Sequence, residues 1–166
     1  RSAYASVFAA RPEDRYATAT WKNYAPNRCR LFTWLAFRDR LFTNDPCFRH
    51  GMSSSDTCPF CDEPETTSHL LLNCHSIKLL WDNLLLLRPP EVEHIQDIWS
   101  NPSIDKVRST VIIAILWSIW KPRNAMVFRA HDEDLYVTLR RSGEDLLFWL
   151  QKCCQAGPSK SISSRP

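Results

Sequence analysis

Cys58-Pro59-Phe60-Cys61-Asp62-Glu63-Pro64-Glu65-Thr66-Thr67-Ser68-His69-Leu70-Leu71-Leu72-Asn73-Cys74 gathers three thiols and one imidazole into a single short stretch. A Cys-x-x-Cys turn folds its backbone under an ion and presents two thiolates to it, and Pro59 helps to fix such a turn. His69 follows after seven residues and Cys74 after four more, supplying the second pair that a tetrahedral zinc site needs. Cys58, Cys61, His69 and Cys74 are therefore the expected ligands of one Zn2+. Four protein ligands close the coordination sphere and leave no position for water or substrate, so the expected role is structural. Zinc in such a site contributes ~10–16 kcal/mol of apparent binding free energy, coupled to folding. Other readings of the same residues stand beside this one. They could be ordinary buried thiols, or a disulfide plus a stray His, or His75 could replace His69, at the cost of a cramped chelate directly beside Cys74.

Outward from this stretch the pattern is helical. On its N-terminal side, Pro26-Asn27 opens a helix carrying Leu31, Trp34, Leu35, Leu41 and Phe42 at helical spacing, which is expected to end near Thr43-Asn44-Asp45-Pro46. A short turn from Pro46 to His50 should stop at Gly51. On the C-terminal side, Thr66-Thr67-Ser68 can cap a helix from His69 through Leu72, continuing after a break through Ile77, Leu80 and Trp81 to Leu87. A short helix is expected over Val92 to Trp99. A long one should start at Asn101-Pro102-Ser103, run through Ile104 to Trp120 with apolar residues on more than one face, and bend or stop at Pro122. A last helix is expected from about Asp132, and Ser2 to Ala10 could form a short one. The fold class is mainly α: a small helical domain with an inserted Cys3His zinc-binding loop and little or no β-sheet. The expected division is 1–25 for an N-terminal helix and connector, 26–130 for the zinc-binding domain with its loop at 56–75, 131–154 for a C-terminal helix, and 155–166 for a disordered polar tail.

Composition agrees with a packed helical domain. Seven Trp, eight Phe and only three Gly favour a core over disorder and helix over a turn-rich β fold. The net charge of +3 is uneven: residues 1–55 hold nine Lys/Arg against four acids, so the positive excess lies in the N-terminal third. Arg1-Ser2-Ala3-Tyr4 reads as the interior of a longer reading frame without a signal peptide, and Val111 to Trp120 is too short an apolar run to span a bilayer. A soluble intracellular protein with reduced thiols is expected, and seven Cys, an odd number, fit no secreted disulfide framework. Neither a nucleophile–base set nor a Gly-rich phosphate loop occurs, and Glu63 and Glu65 have no open metal position beside them, so no catalysis is expected.

The run Arg30-Leu31-Phe32-Thr33-Trp34-Leu35-Ala36-Phe37-Arg38-Asp39-Arg40-Leu41, then Thr43-Asn44, Cys58-Pro59-Phe60-Cys61, Glu65 to Cys74 and Leu80-Trp81, resembles the reverse-transcriptase zinc-binding domain of plant LINE-type (non-LTR) retrotransposons. Ile119-Trp120-Lys121, Arg123-Asn124 and Val127-Phe128 resemble that family's downstream segment, with Pro122 a departure from it. The resemblance implies a non-catalytic module C-terminal to a reverse transcriptase and often before a ribonuclease H domain. It also implies contact with template RNA or target DNA, and it maps the family's zinc ligands onto Cys58, Cys61, His69 and Cys74.

Lys22, Arg28, Arg30, Arg38, Arg40 and Arg49 flank Trp21, Tyr24, Phe32, Trp34, Phe37 and Phe48. Basic groups neutralise phosphate and exposed rings stack on unpaired bases, so Arg28, Arg30, Arg38 and Arg40 are candidate RNA- or DNA-binding residues. The competing reading is a solvated basic face over an aromatic core. It accompanies an alternative function as a packing module within a polyprotein, motivated by the apolar helix 104–120. Trp117, Trp120, Lys121, Arg123 and Asn124 read as a helix end with core tryptophans. The vicinal pair Cys153-Cys154 is a redox candidate only weakly.

Overall fold

A computed structural model describes residues 16–83, 92–99, 105–131 and 134–155. The expected helix at 2–10 and the polar tail lie outside them, as do the side chains of Cys153 and Cys154. The elements are α1 (Ala17–Trp21), α2 (Asn27–Phe37), α3 (Asn44–Arg49), a π-helical turn (His69–Asn73), α4 (His75–Asn83), a 3-10 helix (Ile95–Trp99), α5 (Lys106–Arg129) and α6 (Leu135–Gln155). No strand occurs among the described residues, only an isolated antiparallel bridge between Thr57 and Pro64. The mainly helical fold with an inserted donor loop is as expected.

Pro26 precedes α2, with its ring presetting the backbone for helix entry. The helix ends at Phe37, earlier than the apolar spacing predicts. Asp39 takes a left-handed conformation (φ 50), and the Arg40 N–H reaches back to the Leu35 carbonyl, which closes the helix end. Leu41 is buried from the loop beyond, so its apolar character belongs to tertiary packing and not to a continuing helix. The next helix starts at Asn44 and Gly51 (φ 69) ends the turn that follows it, close to expectation.

α5 is the central element. Ile112, Ile113, Leu116 and Ile119 are fully buried, and the helix packs against α1, α2, the π turn and α6. Its start is set by Asp105, whose carboxylate accepts the Arg108 N–H at 2.7 Å, so the expected start at Pro102 is corrected to a cap three residues later. It also runs through Pro122, which was expected to bend or stop it. A proline inside a helix costs ~3 kcal/mol through the lost hydrogen bond and the ring clash. Burial of Pro122 and the contacts of Arg123 beside it offset that cost. Among the described residues, α5 is long and apolar enough in length and composition to cross a membrane, but over half of its apolar window is buried against the rest of the chain. That is how the core helix of a folded domain looks.

Polar hooks tie the helices together. Trp99 Nε1 donates to Ser109 Oγ, which donates to the Ala19 carbonyl, while the Tyr24 N–H donates to Thr110 Oγ1. Gln96 Nε2 donates to the Phe37 carbonyl and satisfies the end of α2. Part of the aromatic set packs together in the core: Phe32 meets Trp117 edge-on at 5.4 Å and Trp120 at 5.6 Å, and Phe37 meets Trp99 at 4.9 Å. The predicted helix over Val92 to Trp99 is a single 3-10 segment, and the last helix begins at Leu135 behind Asp134. Ala130 caps α5 at φ 48, a left-handed position held by a residue with a Cβ. Ala130→Gly is expected to raise stability by about 1 kcal/mol in urea unfolding.

Candidate metal centre

The Cys58–Cys61 turn is held from both sides. The Cys58 N–H donates to the Glu63 carbonyl (2.8 Å), the Cys61 N–H to the Cys58 carbonyl (3.3 Å), and the Glu65 N–H to the Asp56 carbonyl (2.8 Å). The Thr57–Pro64 bridge closes the loop behind the thiols. Thr66 Oγ1 accepts the His69 N–H at 3.0 Å and so caps the turn that carries the imidazole.

A five-residue step from His69 to Cys74 would leave the two side chains about 140° apart on an ordinary α-helix. The segment avoids this by widening. The Cys74 N–H bonds to the His69 carbonyl at 2.7 Å, a π-type closure that brings both residues to one side. Cys74 then leaves the helical conformation (φ −53, ψ 134) and α4 starts at the next residue. Leu70, Leu71 and Leu72 of the π turn are fully buried, and Trp81 Nε1 donates to the Leu71 carbonyl at 2.9 Å. The donor loop is thus built into the core and is not a separate satellite.

The four donor atoms lie within 4.8 Å of one another. Cys58 Sγ to Cys74 Sγ is 4.0 Å, Cys61 Sγ to Cys74 Sγ 3.7 Å, and Cys61 Sγ to His69 Nε2 3.1 Å. Sulfurs about 2.3 Å from a central zinc at tetrahedral angles stand about 3.8 Å apart. The donors fit one structural Zn2+. His69 presents Nε2 to the sulfurs, while Nδ1 lies 3.5 Å from Glu63 Oε2, a carboxylate placed to orient the ring. His75 is exposed and stands outside the cluster. Cys29, Cys47, Cys58, Cys61 and Cys74 are free thiols.

Charge in the metal-free cluster is uneven. The hydrogen bond from Cys58 pulls the Cys74 thiol down to about 5 against burial, helped by the N–H groups of Ser76 and Ile77 at the start of α4. Cys58 is pushed up, first as the donor to Cys74 and then by burial, and Cys61 is pushed up by burial. Zinc entering at neutral pH must displace the Cys58 and Cys61 protons, and these protons return as the pH falls. Affinity is therefore expected to drop by about a hundredfold per pH unit on acidification, read as zinc transfer to a chromogenic chelator between about pH 7 and pH 5.

Behind the loop lies a feature that sequence reading missed. Arg123 and Glu65 are both fully buried. Arg123 Nε donates to Glu65 Oε1 at 2.9 Å, and its second terminal nitrogen donates to Glu65 Oε2 (2.6 Å) and to Asn44 Oδ1 (2.9 Å). Glu65 Oε2 also accepts the Asn44 N–H, and Asn44 Nδ2 donates to the Thr57 carbonyl beside Cys58. The guanidinium lies 5.0 Å from the Trp120 ring centroid. One bidentate pair thus locks the centre of the chain, α3 and α5 to the donor loop. The sequence signal was Arg123 three residues past Trp120, in the segment that resembles the family's downstream motif.

The four candidate arginines do not act alike. Arg30 is half-buried and donates to the Asn23 carbonyl at 2.6 Å, a structural contact. Arg38 is exposed and stacks over Trp34 at 4.8 Å. Arg28 and Arg40 are exposed and line one groove with Leu31, Phe42 and Trp120. Arg49 is paired with Asp45.

Residues 1–81 match the family model described as zinc-binding in reverse transcriptase, a match covering just under half of the chain. Comparison with curated proteins and comparison with solved structures each returned no match. The family match and the donor cluster support a zinc-binding module of the accessory kind found with reverse transcriptases, a domain that is not itself catalytic.

Proposed function

We propose that Cys58, Cys61, His69 and Cys74 ligate one structural zinc in a non-catalytic module of a plant LINE-type (non-LTR) retrotransposon reverse transcriptase, and that the module helps the polymerase to hold RNA or DNA. The observation that carries this reading is the convergence of four donors within 4.8 Å inside a segment matching the zinc-binding family. The basic excess of the N-terminal third and the exposed Arg28, Arg38 and Arg40 support the nucleic-acid role. We place the module at residues 26–130, because Arg123 completes the loop's support from α5, with 131–154 as a further helix that would face neighbouring polymerase and ribonuclease H domains.

One observation favours a second reading, a packing module without nucleic-acid contact. Phe128, Val137, Leu147 and Phe148 are large apolar residues exposed towards the C-terminal end of the fold. The two readings part in one experiment. Binding of single-stranded RNA and DNA is followed by anisotropy between about 50 and 200 mM salt, with zinc per chain measured on the same sample. The first reading expects one zinc and binding that weakens steeply with salt. The second expects one zinc, self-association and no binding at low salt.

A further inference from the structure

The outer face of α2 and the loop after it form a groove with Trp120 of α5. Its floor is apolar, and its volume of about 220 Å³ is smaller than the ~300–1,000 Å³ of pockets that enclose a small molecule. Leu31 is 50% exposed and Phe42 67% exposed, so both offer apolar surface at the groove. Arg28 and Arg40 line the same groove, and no carboxylate does. Asp39, next to Arg40 in sequence, lines a separate cavity with Thr66 and His94.

Two exposed guanidiniums, an accessible ring and an open, flat apolar floor are the parts of a single-strand binding surface. The cations take phosphates, and the ring and floor take base faces without regard to sequence. We propose that this groove is the module's contact for single-stranded nucleic acid, with Arg28 and Arg40 on successive phosphates and Phe42 stacked on a base. This rests on the nucleic-acid part of the function proposed above and narrows it. Arg30 is excluded as a contact by its bond to Asn23, and Arg38 is set apart by its stack on Trp34.

The test uses the zinc-loaded chain, labelled oligo(dT) and oligo(rU) of about 20 nucleotides, and a Glu/Leu-rich peptide of similar length as the competing acidic partner. Arg28→Gln with Arg40→Gln is expected to make the slope of log affinity against log salt shallower by about 1.4, from two phosphates at roughly 0.7 each. Phe42→Ala is expected to weaken binding about tenfold with the slope unchanged. Arg49→Gln is the control and should change neither. Unchanged zinc content and circular dichroism establish that the variants fold. If the wild-type chain binds the oligonucleotides and the groove variants bind equally well, the groove is overturned while nucleic-acid binding stands elsewhere. If the wild-type chain binds neither oligonucleotide, the nucleic-acid role itself falls. If the groove takes the peptide and not the oligonucleotides, it is a protein-docking site and the proposal is wrong.

Discussion

Cys74→Ser should yield a chain that retains almost no zinc and loses amide protection from His69 through Trp81. The ligand sits at the junction of the π turn and α4, fully buried, and its thiolate faces two other sulfurs and the N–H groups of Ser76 and Ile77. Structural zinc is worth ~10–16 kcal/mol of apparent binding free energy, as much as the ~5–15 kcal/mol that keeps an ordinary domain folded. Losing it therefore cannot be absorbed locally. Leu70, Leu71 and Leu72 reach the core only because the turn between His69 and Cys74 is held open, and Trp81 anchors to that same turn. Hydrogen exchange resolved along the chain is the readout, with zinc content measured in parallel. Cys47→Ser is the matched control, since Cys47 is half-buried and outside the donor cluster. It should leave both unchanged.

The second large effect is expected at Arg123. Replacement by Met removes four hydrogen bonds, two to Glu65 and one each to Asn44 and Asn124, and leaves the Glu65 carboxylate buried without its cation. Breaking a buried pair from one side costs about 3–5 kcal/mol, because the remaining charge is stranded. The double variant Glu65→Leu with Arg123→Met should recover part of that loss. It should not recover all of it, since the Asn44 N–H then loses its acceptor. Urea unfolding of the single and double variants gives the coupling energy directly. Zinc affinity should fall in Arg123→Met as well: Glu65 lies between Pro64, which closes the donor loop, and Thr66, which caps the turn carrying His69.

Much of the site could be read from spacing. Cys-x-x-Cys, the later His and the final Cys are local facts of the chain, and a metal imposes a simple rule on them. The conformation that makes the spacing work was not legible, because a π turn has no composition signal. Its cause is the need to bring residues five apart to one ion. Helix ends were misread where a non-glycine residue does a glycine's job: Asp39 stops α2 in a left-handed conformation, and nothing in Arg38-Asp39-Arg40 announces it. Pro122 misled in the opposite direction, since tertiary burial overrode a local cost. The pair between Glu65 and Arg123 spans 58 residues and joins two charges that composition would place on the surface. The basic run looked uniform in sequence, yet packing gave Arg30 to a backbone carbonyl, Arg38 to a tryptophan face, and Arg28 and Arg40 to one groove.

Cobalt substitution probes the donor set most directly. Zinc-stripped protein titrated with Co2+ should take up one ion per chain. The visible spectrum should be that of a tetrahedral ion, with thiolate charge-transfer intensity for three sulfurs, falling stepwise in Cys58→Ser, Cys61→Ser and Cys74→Ser and shifting in His69→Cys but not in His75→Ala. An octahedral spectrum, no saturation at one equivalent, or a response to His75→Ala in place of His69→Cys would contradict a single closed site made by these four residues.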